Sequence, residues 1–269
     1  MRISLFAFLM AMALIGTARA DALDDGRAAH MRGDYATALR LLEPAADHGD
    51  AVAQFYLAFM YRSGQGVSQS YYAARKWYRR AADQGLAAAQ NNLGTMYRDG
   101  QGVWQDYAEA LSWYRKAAVQ GLAEAQYNIG MMYASGQGVA QDFGAAWDWY
   151  RRAAEQGDAE AQYRLGAMYA EGTGVPQDYA EAAKWYRHAA DRGVAPALGP
   201  LGAMYAKGQG VPLDLVEAHK WSNLAVARFN ASEAVGREAA VRLRSQIEYQ
   251  MTPAQVADAH RLALEWRPK

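Results

Sequence analysis

Apolar and polar positions along most of the chain follow a pattern that repeats every 36 residues. Tryptophans show this spacing most clearly, and they lie at Trp77, Trp113, Trp149, Trp185 and Trp221. A fixed period of this length indicates stacked supersecondary units, each too small to bury its apolar face alone. An enzyme needs its reactive residues once, so their recurrence favours a packing unit over an active site.

Residues 87–122 show how one repeat is built. Near-helical spacing of apolar residues predicts a first helix over 87–98, which Gly100 is expected to end in the left-handed conformation. Asp106 is predicted to cap a second helix, and Glu109 completes a capping-box pattern. Each repeat is thus predicted to be two short helices joined by a glycine turn, with Trp113 in the core.

The stretch AEAQYNIGMMYASGQGVAQDFGAAWDWYRRAAEQG, residues 123–157, resembles a Sel1-like repeat, a longer relative of the tetratricopeptide repeat. The resemblance covers almost the whole chain. It implies an all-α fold, an α-solenoid of stacked antiparallel helix pairs wound as a right-handed superhelix. Five repeats are expected at about 51–86, 87–122, 123–158, 159–194 and 195–230, between a capping helix pair over 21–50 and capping helices over 231–269.

The two ends of this array depart from the repeat pattern. In the fifth repeat, Pro196, Gly199 and Pro200 weaken the predicted first helix and suggest a bend or a looser junction near 195–200. After the repeats, a helix is expected from Ser232 to Tyr249. A last helix follows, with Thr252 as N-cap, Pro253 at its first position and Gln255 closing a capping box.

The first 20 residues predict a cleavable signal peptide. Arg2 precedes an uncharged apolar run over 3–16, and Ala18-Arg19-Ala20 has the form of a cleavage site. We therefore expect export to the periplasm, with secretion as the second choice and no membrane insertion after cleavage. The chain has a net charge of zero, which becomes −2 once the two leader arginines are removed. Its basic residues are dispersed, so nucleic acid is not an expected partner.

The resemblance implies that first helices line a concave face, on which a protein or peptide would bind. Positions that differ between repeats are the ones able to select a partner. The predicted solvent-facing stripe contains Phe55, Phe59, Arg62, Asn91, Thr95, Arg98, Tyr127, Met131, Tyr163 and Glu171. Two alternatives stay open: Phe55 and Phe59 pack against a helix around 28–31, and the two tyrosines pack between repeats.

Residues that would carry catalysis are not recognisable. The chain has no Cys, its five His residues show no metal-ligand spacing and are interpreted as single surface residues, and no serine β-lactamase motif is present. We therefore expect a monomeric, non-catalytic scaffold without cofactor or metal. Similar proteins include periplasmic regulators of membrane sensors, which suggests that role. A hydrolase of β-lactam or cell-wall amides and a secreted factor that engages host or envelope proteins remain the alternatives.

Overall fold

The computed structural model describes residues 22–229 and 234–268, and this part of the protein consists of helices and the turns that join them. These ranges contain 14 helices in stacked pairs and no strand. This confirms the predicted all-α solenoid of helix pairs. The predicted leader and the predicted helix start at Ser232 lie outside the described residues.

The chain divides into two compact units, Met1–Ala125 and Gln126–Lys269. Helices of the N-terminal unit are α1 (22–31), α2 (Tyr35–Asp47), α3 (Ala51–Ser63), α4 (Tyr71–Asp83), α5 (Ala87–Asp99) and α6 (Tyr107–Val119). Helix α7 (Ala123–Ser135) begins there and continues into the C-terminal unit. That unit then contains α8 (Phe143–Glu155), α9 (Ala159–Glu171), α10 (Tyr179–Asp191), α11 (Ala195–Lys207), α12 (Leu215–Arg228), α13 (Ala234–Glu248) and α14 (Pro253–Glu265).

The second helix of each repeat begins at a polar cap, as the sequence predicts. The Asp106 carboxylate accepts a hydrogen bond of 2.9 Å from the backbone N–H of Glu109, a contact that contributes about 1 kcal/mol. The capping-box pattern also predicts a bond from the Asp106 backbone N–H to the Glu109 carboxylate, and this prediction is wrong. The Glu109 carboxylate instead accepts a 2.9 Å bond from the indole N–H of Trp113.

Glycine turns join the two helices of a repeat. Gly100 ends α5 with φ 69°, as predicted, and Gly102 follows with φ 68°, a region that L side chains rarely adopt. A Cβ on Gly102 would also lie 2.5 Å from the backbone of Tyr71. Glycine is therefore required at this turn both for its conformation and for close approach to the preceding repeat.

Tyrosines of the second helices fill the layer between helices. A Cβ on Gly94 would lie 2.9 Å from the ring of Tyr114, so the small residue lets that ring pack against α5. Trp113 is buried at 2% exposure, as predicted, and the Lys116 ammonium lies 3.7 Å from its ring centroid. Trp77 is only half-buried, and its ring carries the Arg80 guanidinium at 4.6 Å.

The first helix of the fifth repeat forms in full despite its prolines. Helix α11 has 13 residues, the same length as α9, so the expected weakening does not shorten it. Pro196 lies in the first turn, where an N–H has no helical acceptor to bond. Pro200 lies in the interior and removes the donor that would reach the Pro196 carbonyl.

The C-terminal helices cover the end of the C-terminal unit. Thr252 and Gln255 form the predicted capping box at the start of α14. His219 on α12 is fully buried at 0% exposure, and its ring lies 5.2 Å from that of His260 on α14. The prediction of a single surface histidine is wrong at His219, because α14 packs over it. No helix in the described ranges has the length and apolar character needed to cross a membrane.

Candidate functional site

The candidate surface is the first-helix face, defined as the half-buried and exposed side chains of the first helix in each repeat. In the N-terminal unit these helices are α3 and α5, and in the C-terminal unit they are residues 126–135 of α7, α9 and α11. Both units are organised around buried tyrosines of the second helices, at Tyr78, Tyr114, Tyr150 and Tyr186.

In the N-terminal unit, the Tyr78 hydroxyl meets polar side chains of the first-helix face. It accepts a hydrogen bond of 3.1 Å from the side-chain amide of Asn92. Burial raises the pKa of Tyr78 to about 12, although the nearby Arg62 guanidinium and the Asn92 bond oppose the rise. The hydroxyl therefore stays protonated at neutral pH and marks a polar point on an otherwise buried ring.

Tyr114, the corresponding tyrosine of the second repeat, is also hydrogen-bonded to a first-helix side chain, but to a different one. The Thr95 and Tyr114 hydroxyls are hydrogen-bonded at 3.1 Å. Burial raises the pKa of Tyr114, and the bond to Thr95 opposes it. Asn91 was expected to face solvent, and that expectation is wrong, since it is only 1% exposed. The equivalent residues of other repeats, Phe55, Tyr127 and Tyr163, contact the second-helix tyrosine of their own repeats.

Phe55 and Phe59 are half-buried rather than exposed. The ring of Phe55 makes an edge contact with Tyr78 at 5.7 Å, and the ring of Phe59 makes one with His30 on α1 at 5.6 Å. The alternative of packing against the N-terminal helix is thus the arrangement found for Phe59. These aromatics stabilise the unit and present only part of their area to a partner.

The two predicted arginines of the N-terminal unit already have partners. Arg62 donates from Nε to Gln101 Oε1 at 3.3 Å. Arg98 is paired with its own neighbour, with 2.7 Å between Arg98 Nε and Asp99 Oδ1. A ligand carboxylate would therefore compete with Asp99 for Arg98.

In the C-terminal unit, two predicted tyrosines pack within their own repeats. The Tyr127 ring lies 5.7 Å from Tyr150, and the Tyr163 ring lies 6.0 Å from Tyr186. Both Tyr127 and Tyr163 remain half-buried, with their edges on the first-helix face. Met131 is also half-buried, and Glu171 is exposed at the end of α9.

Arg164 is a residue of this face that the sequence analysis missed. It is exposed, and its guanidinium lies 5.7 Å from the ring centroid of Tyr163. Partial burial alone would lower the pKa of Arg164, but a hydrogen bond to Tyr127 and the neighbouring Tyr150 and Tyr163 hydroxyls raise it overall. Repeats two and three have Asn92 and Asn128 at the same position, so the change to arginine was the available signal.

Arg164 has no carboxylate partner among the described residues, and tyrosines supply its contacts. A guanidinium in this state can form two parallel bonds to an incoming carboxylate. Elsewhere in the described part of the chain, no group of three or more His, Cys, Asp or Glu residues could hold a metal ion.

Comparison with known proteins agrees with the repeated helix pairs described above. The Sel1 repeat model matches residues 9–50, 51–86, 87–122, 123–158, 159–194 and 197–228. A Sel1 repeat protein from Oxalobacter formigenes is 32% identical, with 90% of this chain and 99% of that chain covered and a TM-score of 0.76. Comparison with curated proteins gives no match.

A second similar structure is c5321, described as a protective antigen present in uropathogenic Escherichia coli strains and displaying an SLR fold. It is 29% identical, with a TM-score of 0.75 and with 96% of this chain covered. This chain spans 64% of that protein, less than two thirds of its length. Since the six family matches extend over most of the sequence, the chain belongs to the Sel1 repeat family.

Proposed function

We propose that this chain is a non-catalytic binding protein that holds a protein or peptide on its first-helix face. The observation that carries the proposal is a contrast between two layers. The buried tyrosine recurs in four repeats, whereas the first-helix residue beside its hydroxyl changes from Asn92 to Arg164. A recurring layer supports the fold, and a changing polar layer above it can select a partner.

The chemistry of this face suits a polypeptide. Half-buried tyrosines offer apolar area at small entropic cost, and arginine recognises carboxylates with fixed geometry. Arg164, with Tyr127 and Tyr163 beside it, combines both properties in the C-terminal unit. Because the helices are already stacked, binding orders little of the protein itself.

The proposed location is the periplasm, and the proposed role is control of a membrane sensor. The predicted leader supports export, and the resemblance to periplasmic regulators supports the role. An extracellular role is the second candidate, because the E. coli relative is described as a protective antigen. Fractionation of cells into periplasm and culture medium distinguishes the two locations.

Capture of a partner from an envelope extract tests the proposal. We expect the purified mature chain to retain a specific protein, and Arg164→Glu and Arg62→Glu to weaken its capture. Lys76→Glu is the matched control, because Lys76 is exposed on a second helix, α4. The proposal fails if the wild-type chain retains no specific protein, if all three variants bind equally, or if nitrocefin is hydrolysed at an identified centre.

A further inference from the structure

An apolar groove lies in the C-terminal unit between α11 and α13. Its volume is about 440 Å³, and its walls include Tyr163, Gly199, Phe229 and Leu243. Ligand pockets in proteins have roughly 300–1,000 Å³, so the groove is large enough for a bulky side chain. It lies on the first-helix face, next to the wall that Tyr163 provides.

The groove lies beside Gly199, one of two positions at which the fifth repeat lacks an aromatic ring found in other repeats. In repeats one, three and four, the fifth residue of the first helix packs on the tyrosine of the second helix. These pairs have ring centroids 5.7 to 6.0 Å apart, and they are Phe55–Tyr78, Tyr127–Tyr150 and Tyr163–Tyr186. The corresponding residues of the fifth repeat are Gly199 and Ser222.

Gly199 leaves open space where the other repeats place a ring. A Cβ on this residue would meet no atom within 4 Å. The four residues between Phe229 and Ala234 are Asn, Ala, Ser and Glu, so that segment has no ring to supply. Repeats one, three and four therefore have an aromatic residue at both positions, repeat two has one at the second-helix position alone, and the fifth repeat has neither.

A cation beside Tyr163 indicates which partner charge would accompany the ring. Tyr163 forms one wall, and the Arg164 guanidinium lies 5.7 Å from its ring centroid. Arg164 has no carboxylate partner in the part of the chain that the structure describes. A partner with a carboxylate near its aromatic residue would complement this cation.

We propose that the groove binds an aromatic side chain of an acidic peptide segment, with Arg164 pairing with a carboxylate next to that aromatic residue. The inference rests on the proposed function and names the partner chemistry for one part of the face. The partner ring packs against Tyr163, as Tyr127 packs on Tyr150 in the third repeat. The partner thus supplies from outside the aromatic contact that the fifth repeat lacks.

The test uses the peptide acetyl-Ser-Glu-(4-fluoro-Phe)-Ser-amide, whose ¹⁹F resonance broadens and shifts when the ring binds. We expect the wild-type chain to bind it and Gly199→Tyr, which places a ring in the groove, to abolish binding. Ala203→Phe fills the groove from the next turn of α11 and is expected to act in the same way. Lys207→Tyr adds a ring at the exposed end of the same helix and is expected to leave binding unchanged.

A second pair of measurements isolates the contribution of the Arg164 charge to peptide binding. Arg164→Gln is expected to weaken binding of this peptide about threefold, which corresponds to the strength of an exposed ion pair. It should leave unchanged the binding of a peptide in which Gln replaces Glu. No binding by the wild-type chain, or equal binding by wild type and both filled variants, overturns the inference. So does a sedimentation experiment in which Gly199→Tyr abolishes self-association of the wild-type chain, because a second copy would then occupy the groove.

Partner capture separates this inference from the proposed function. If Gly199→Tyr captures the same envelope protein as the wild-type chain and the fluorinated peptide does not bind, the groove proposal fails and the proposed function stands. If the peptide binds and no envelope protein is captured, the proposed function fails and the groove proposal stands.

Discussion

The Tyr78 hydroxyl, on the second helix of the first repeat, accepts a 3.1 Å hydrogen bond from the Asn92 side chain, on the first helix of the second repeat. A buried polar group requires such a partner, and here the partner belongs to the neighbouring repeat. The bond therefore links two consecutive helix pairs. It also fixes Asn92 on the face that we propose for partner binding.

Tyr78→Phe is expected to lower the free energy of unfolding by about 1 kcal/mol, because one hydrogen bond between repeats is lost while the ring remains. Urea unfolding followed by circular dichroism measures the change. Tyr186→Phe is the control, since the Tyr186 hydroxyl has no hydrogen bond to any described residue and the corresponding first-helix residue is Pro200. Equal losses in the two variants would contradict the assigned role of Asn92.

Two Gly→Ala substitutions are expected to have opposite effects. A Cβ on Gly166 would lie 2.6 Å from the Tyr186 ring, whereas a Cβ on Gly199 would meet nothing within 4 Å. Gly166→Ala should destabilise the protein by about 1–3 kcal/mol through overpacking. Gly199→Ala should stabilise it by about 0.5–1 kcal/mol, because alanine favours a helix over glycine. Thermal unfolding of both variants checks the signs, and a shift in the same direction would be inconsistent with the described packing.

Arg192→Gln is expected to stabilise the fourth repeat. In the first three repeats a glutamine amide donates to a buried glutamine 30 residues earlier, at 2.7 to 2.9 Å, in the pairs Gln84–Gln54, Gln120–Gln90 and Gln156–Gln126. In the fourth repeat Arg192 takes the donor position, and the Gln162 side-chain oxygen is buried without a partner. Restoring the donor should add about 1 kcal/mol to the free energy of unfolding.

The matched control for Arg192→Gln is the reverse change in the second repeat. Gln120→Arg replaces the amide that donates to Gln90 by the residue type beside which Gln162 is unpaired, and is expected to destabilise the protein by about 1–3 kcal/mol. Urea unfolding of both variants provides the comparison. Unchanged stability in Arg192→Gln would show that another group, such as a bound water, already satisfies Gln162.

Docking of the C-terminal helices is expected to weaken in acid. Burial lowers the pKa of His219 below its usual 6.5, with His260 and Arg244 adding to the effect and Glu248, 3.7 Å away, opposing it. The folded state therefore binds a proton less readily than the unfolded state, so stability is present above the unfolded pKa and falls as the pH drops below about 6.5.

Hydrogen exchange of α14 between pH 7.5 and 5 measures this effect, after correction for the intrinsic pH dependence of exchange. Opening of α14 should increase toward pH 5 in the wild-type chain and change less in His219→Phe, which keeps a buried ring without a titrating group. His188→Gln is the control, because His188 is exposed on α10. A wild-type profile that is independent of pH would contradict the interpretation of His219.

Periodicity was sufficient to predict the helix pairs because each element recurs with its own start and stop residues. The helix predicted over 87–98 is found over Ala87–Asp99, and Asp106 and Gly100 cap as expected. The bond made by the Glu109 side chain could not be predicted, because two donors, the Asp106 backbone N–H and the Trp113 indole N–H, are both within its reach along the helix and only the indole is bonded to it. A local motif does not specify which of the two is used.

The site was harder to predict from the sequence, because residues far away in the sequence decide which side chains face solvent. Asn91 is buried although its position was expected to face solvent, and its exposure was known only from the packed structure. His219 is covered by α14, an element outside the repeat pattern. Arg164 was visible as a departure from Asn92 and Asn128, but its lack of a carboxylate partner required coordinates.

The central claim is that the first-helix face holds a polypeptide partner, and site-specific photo-crosslinking in living cells tests it most directly. Benzoylphenylalanine would replace Tyr127 or Tyr163 on that face, and Phe143 at the start of second helix α8 as the control. We predict that illumination joins the same protein to the chain from positions 127 and 163 and not from 143. Crosslinks from 143 alone, or none from 127 and 163, would contradict the claim.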